Sequence, residues 1–298
     1  MLNLKKFVSS KEWNWDTKRE IFVHCKYRED KIVSTAGKKA DYSSKTGNNP
    51  RYIRWFGIDF SQQVRFMIEM NWIKNHLLKI GNDRKEREKN ITESILDLGC
   101  SRSYIYQFWR FNCNHFGWKP VNYYGVDANA ARIQQGRESF VKKRRDNLVY
   151  FLADLIFPLS FYRKFDVVVC GEVIEHLPKE YQEILLETIR NSMRKNSILI
   201  FSSPNPRKDM GELFISEYEH LYESSYDEME NLLDKTGFQI VDSCGILARQ
   251  GYKTKCEYPE LRSRLSDLLS TTIAHGILVT GEKDKSLSKQ YLIKAVLK

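Results

Sequence analysis

Four side chains in the second half of the chain have the types and spacing that chemistry needs: Glu172, Glu175, His176 and His220. In Gly171-Glu172-Val173-Ile174-Glu175-His176-Leu177 the three polar residues lie at i, i+3 and i+4, which places them on one face if the segment is a turn opening into a helix. His220, in Glu217-Tyr218-Glu219-His220, lies just past a loop bounded by prolines and can approach that face across the edge of a sheet. Two carboxylates and two imidazoles suit a hard divalent ion such as Mg²⁺ or Mn²⁺. Without a metal, His176 or His220 could instead act as a base or positioning group.

Such a set works only if regular elements carry it. The stretch Ser94 to Ser103 reads Ser-Ile-Leu-Asp-Leu-Gly-Cys-Ser-Arg-Ser, a short apolar run ending in a small-residue turn, with an aromatic-rich helical segment after it. The turn exposes backbone N–H groups, and Gly99 leaves room for a ligand against the main chain. A second run, Tyr123-Tyr124-Gly125-Val126, closes on Asp127, placed as the acid that accepts hydrogen bonds from ribose hydroxyls in dinucleotide-type folds. Leu148 to Ala153 runs into Asp154, and Phe165 to Cys170 runs into the Glu-His segment. Helix-length segments separate these runs, so the pattern predicts a parallel sheet whose carboxyl edge carries every polar landmark. Ile198 to Phe201 is the next strand, and Ser202-Ser203-Pro204-Asn205-Pro206 turns the chain across that edge.

Taken in this order, the stretches resemble the motifs of class I S-adenosylmethionine-dependent methyltransferases over roughly residues 92 to 245. The resemblance implies a Rossmann-like α/β fold, with a seven-stranded, mostly parallel sheet, helices on both faces and a terminal antiparallel hairpin. It implies S-adenosyl-L-methionine as cofactor. Asp97, Gly99, Cys100 and Ser101 would hold its methionine end, Asp127 with Ala128 its ribose, and Asp154 with Leu155 its adenine; Glu172 would stand beside it. Ser101 and Ser103 replace glycines that the family's loop usually has, so a positive φ at either would be strained.

Glu172, Glu175 and His176, the Ser203-Pro204-Asn205 sequence and His220 are also similar to the Hen-type enzymes, metal-dependent methyltransferases of the 2′-hydroxyl on the last nucleotide of small RNAs. Three functions stay open. The chain transfers methyl to a hydroxyl or amine of a small-molecule or glycan acceptor, it is an RNA 2′-O-methyltransferase with Mg²⁺ or Mn²⁺, or it is a catalytically idle subunit of this fold that binds a partner.

At 298 residues, with 42% hydrophobic and 13% aromatic residues, the chain can bury one core of about 200 residues plus additions. The expected division is a basic N-terminal extension (1–50), an amphipathic helix with a charged linker (51–90), and the catalytic domain (91–298) with a helical insertion near 256–280. Net charge is +10, and residues 1–51 hold twelve lysines and arginines against six acids. Trp13, Trp15, Phe22, Tyr27 and Tyr42 lie among them; such a segment can follow a phosphate backbone and stack on bases, or pack its aromatics on the core. The six cysteines show no metal-finger spacing and read as reduced thiols. No run of 18 apolar residues exists, so the expectation is a cytoplasmic protein without a membrane span.

Overall fold

The computed structural model describes residues 8–31, 60–85, 92–138, 148–206, 220–248, 285 and 288–298. Nine strands form one sheet: β1 (Trp13–Asp16), β2 (Ile21–His24), β3 (Ser94–Leu98), β4 (Asn122–Asp127), β5 (Leu148–Leu152), β6 (Phe165–Gly171), β7 (Met193–Pro204), β8 (Phe238–Ala248) and β9 (Ser288–Leu297). Their order across the sheet is β1-β2-β5-β4-β3-β6-β7-β9-β8. The five strands from β5 to β7 are parallel, and β9 runs antiparallel between β7 and β8. Seven strands match the expected architecture, and two come from the N-terminal segment.

Those two place the aromatics of the N-terminal segment on the core, one of the two arrangements expected of it. β2 pairs in parallel with β5, Phe22 opposite Phe151, and β1 folds back antiparallel on β2. Trp13 and Phe22 are buried, and Phe22 stacks on Phe151 with ring centroids 5.2 Å apart. Burying an aromatic side chain contributes about 1.5–3 kcal/mol, enough to draw two four-residue strands onto a sheet edge. The idea that Trp13, Phe22 and Tyr27 stack on bases is thereby overturned, because all three are buried; Trp15 is 39% exposed. Tyr42 lies outside the described residues.

Helix α1 (Phe60–Lys85) accounts for the amphipathic helix expected within residues 51–90. α2 (Tyr104–Phe116) and α3 (Ala130–Glu138) lie with α1 on one face of the sheet, and α4 (Lys179–Ser192) and α5 (Tyr226–Lys235) lie on the other. Alternate strand residues divide between the two cores. Ile95 and Tyr123 join Phe66, Ile73 and Phe108, whereas Leu96 and Tyr124 join the core of Leu185, Ile189 and Met229. The expected helical insertion at 256–280 lies outside the described residues. Among the described residues no helix is long and apolar enough to cross a membrane.

Candidate active site

Every landmark read from the sequence sits along the carboxyl edge of the parallel strands. After β3 the chain turns at Gly99 (φ +76°), where an added Cβ would overlap the Val173 side chain. Only glycine satisfies both the space and the backbone angle. The N–H groups of Gly99 and Cys100 both donate to the Val126 carbonyl, at 2.8 and 2.9 Å. Ser101 (φ +48°) and Ser103 (φ +62°) adopt the left-handed conformation that the family's glycines would hold without strain. Ser103 gains compensation from a 2.9 Å hydrogen bond between its hydroxyl and that of Tyr150.

Asp127 ties this loop to the end of β4. One carboxylate oxygen accepts from Ser101 N at 2.7 Å and the other from Asn129 N at 2.7 Å. A carboxylate has about four lone-pair positions, so further acceptor capacity remains for ribose hydroxyls. Burial raises its pKa, and these two N–H groups oppose the rise. Asp97 is buried at the loop's foot and accepts a hydrogen bond from the Tyr123 hydroxyl; burial lifts its pKa to about 7. Cys100 is buried and its thiol is held well above its usual pKa, which makes it an inert packing group. Asp154 and Leu155 are buried where β5 ends, with Asp154 accepting from Ile156 N at 3.4 Å. Tyr27 reaches this edge from the N-terminal segment and donates to the Ala128 carbonyl at 2.8 Å.

Glu172, just after β6, is a further non-glycine residue with positive φ (+55°) among the described residues, beside Glu20, Ser101 and Ser103. Its N–H donates to the Ser202 carbonyl at 3.0 Å and its Oε2 accepts from Gln290 Nε2 at 2.9 Å, while its buried Oε1 has no hydrogen-bond partner. A 3₁₀ turn, Ile174–His176, follows it. There Glu175, His176 and His220 come together, with one ligand atom of each within 4.8 Å of the others. The two imidazoles meet edge to face, centroids 5.0 Å apart. Glu172 stands outside this trio, so the four residues expected to share one face divide into three that converge and one that turns toward β9.

Several residues not singled out in the sequence position this group. The Glu175 carbonyl accepts from Leu221 N (2.7 Å) and Tyr222 N (3.2 Å), drawing the loop after His220 against the turn. Gln182 of α4 donates to the carbonyls of Ile174 and Tyr222 and accepts from the Ser224 hydroxyl. His220 Nδ1 lies 2.5 Å from Glu223 Oε1, a carboxylate–histidine pair. Glu175 is buried beside Glu172, and both acids are pushed above the usual carboxylate range, chiefly by burial. Removal from water, next to a second acid, makes ionisation costly until a cation arrives.

The family profile described as "Methyltransferase domain" matches residues 71–243. The chain belongs to this family and is a class I S-adenosylmethionine-dependent methyltransferase. Similar solved structures include magnesium protoporphyrin IX methyltransferase from Synechocystis, at 15% identity over 87% of this chain and 97% of that one (TM-score 0.48). The methyltransferase domain of bacterial CtHen1 is 15% identical over 80% and 100% (TM-score 0.49), and an S-adenosylmethionine-dependent methyltransferase from Clostridium acetobutylicum is 13% identical over 80% and 92% (TM-score 0.47). No curated protein matches the chain. The residues at the sheet edge fit the cofactor: Gly99 lets the turn after β3 pack directly on Val173, and Asp127 keeps acceptor capacity beside that turn.

Proposed function

We propose that the chain methylates a ribose hydroxyl at the 3′ end of an RNA, with a divalent cation held by Glu175, His176 and His220 and with Glu172 beside them. The observation that carries this reading is the convergence of those three ligand groups at the carboxyl edge, from two separate loops. The donor set of one carboxylate and two imidazoles suits Mn²⁺, and Mg²⁺ with retained waters. Glu223 orients His220 by taking its Nδ1–H, which leaves Nε2 as the ligand atom. Such a metal, when bound, lowers the pKa of an acceptor hydroxyl and fixes its position.

The protein's share is alignment. Gly99 to Ser101 and Asp127 would hold S-adenosylmethionine, whose methyl group on a sulfonium is already electrophilic, so that an acceptor fixed at the Glu-His cluster faces it. The motif resemblance to the Hen type and the net charge of +10 support RNA as the acceptor. The test is transfer of radiolabelled methyl to separated RNA, protein and small-molecule fractions, with and without chelator. Label in RNA that disappears on chelation supports the reading; label in another fraction, indifferent to chelator, refutes it.

One observation favours a second reading. Burial of Trp13, Phe22 and Tyr27 takes three aromatics away from base stacking. A hydroxyl or amine of a small molecule or glycan then becomes the acceptor, with His176 or His220 as base.

A further inference from the structure

Helix α1 carries a charged pair on its apolar face. Arg65 and Glu69 lie among Phe66, Met70 and Ile73, and are 6% and 0% exposed. Arg65 donates from Nη1 to Glu69 Oε1 at 2.9 Å and to the Ser202 hydroxyl at 3.3 Å, and from Nε to Gln62 Oε1 at 2.7 Å. The pair rests on the last residue of β6: a Cβ placed at Gly171 would meet Glu69 Oε1 at 3.3 Å and overlap Arg65 Nη1. Glu69 therefore sits at the carboxyl edge of β6, next to the strand whose end carries Asp97 and Gly99.

Its chemistry there is incomplete. Glu69 Oε2 is buried and has no hydrogen-bond partner, and neither has Glu172 Oε1. A buried acceptor left unmade costs about 1–3 kcal/mol, more when charged. Arg65 itself is committed to Glu69 Oε1, Ser202 and Gln62, so it leaves Glu69 Oε2 unanswered.

We propose that Glu69, held in place by Arg65, is the acceptor for the ammonium group at the amino-acid end of the methyl donor. An ammonium brings three N–H donors on a positive charge, which supplies the partner that Glu69 Oε2 lacks. Arg65 acts here as a positioning residue, fixing the other Glu69 oxygen. The assignment rests on the reading that the donor's methionine portion lies over Gly99, and it makes α1 part of the donor site, outside the strand-end motifs.

The test separates the two ends of the ligand. S-adenosylhomocysteine carries the amino-acid end; 5′-methylthioadenosine keeps the adenosine and sulfur and lacks it. Calorimetric titration of Glu69→Gln, which preserves an acceptor for Arg65, should show S-adenosylhomocysteine affinity reduced about tenfold or more and 5′-methylthioadenosine affinity unchanged. Unchanged 5′-methylthioadenosine binding also shows that the variant is folded. Equal loss for both ligands, or no loss for either, overturns the proposal and leaves the donor-site reading intact. A wild-type protein that binds neither ligand overturns both.

Discussion

The backbone N–H of Leu221 donates to the carbonyl of Glu175 at 2.7 Å, and this bond fixes the loop that carries His220 against the turn that carries His176. The loop is tied again by Gln182 and by the Tyr291 hydroxyl, which donates to the Ser224 carbonyl at 3.0 Å. A candidate metal site is thus built from two connections that the sheet brings side by side. Glu223, buried behind His220, is the group to change. Glu223→Gln should weaken Mn²⁺ binding about 10- to 100-fold, and His220→Ala should abolish it. Titration followed by electron paramagnetic resonance reads both, and wild-type affinity in either variant would remove the metal from the site.

The strained loop makes an opposite pair of predictions. A non-glycine residue in the left-handed region costs about 1–2 kcal/mol, so Ser101→Gly should stabilise the protein by about 1 kcal/mol, visible as a higher melting temperature. Gly99→Ala should do the reverse and remove S-adenosylhomocysteine binding, because its Cβ overlaps Val173. An unstrained Gly99→Ala variant with normal affinity would contradict the assignment of this turn.

Tyr27 links the N-terminal strands to the cofactor edge through Ala128. Its hydroxyl is buried near Asp127 and Asp154, and burial followed by neighbouring negative charge pushes its pKa up to about 12, so it stays a donor at physiological pH. Tyr27→Phe should cost about 1 kcal/mol of stability and weaken S-adenosylhomocysteine binding. Chemical denaturation and calorimetry give the two numbers, and unchanged affinity would confine Tyr27 to packing.

Two buried acids set a pH dependence. Burial raises both Asp97 and Glu69 to about 7. The unfolded chain ionises them near 4. Between those values the folded state holds more protons than the unfolded state, so their contribution to stability is complete below about pH 4, falls as pH rises toward 7, and is flat above. Asp97→Asn should flatten the slope of melting temperature against pH over that range. An unchanged slope would mean that Asp97 ionises normally.

The strand ends were legible because buried parallel strands read as continuous apolar runs, and each here closes at or within two residues of a polar or small residue: Gly99, Asp127, Asp154, Gly171. β1 and β2 were not. Four residues each, they are strands only because β2 pairs with β5 and β1 with β2, and the contact of Phe22 with Phe151 is a tertiary fact that local pattern does not report. The meeting of Glu175, His176 and His220 could be anticipated from residue types, whereas the turn of Glu172 toward Gln290 depends on β9 inserting between β7 and β8. Arg65 and Glu69 did leave a signal: two opposite charges at i and i+4 on the apolar stripe of a helix.

The most direct test compares two short RNAs that differ only in the last nucleotide, one ending in ribose and the other in 2′-deoxyribose, incubated with labelled S-adenosylmethionine and Mn²⁺. Methyl transfer to the ribose end, lost with 2′-deoxyribose, with chelator and with His220→Ala, is the predicted result. Equal labelling of both RNAs, or labelling that survives the chelator, would contradict metal-assisted methylation of a terminal ribose hydroxyl.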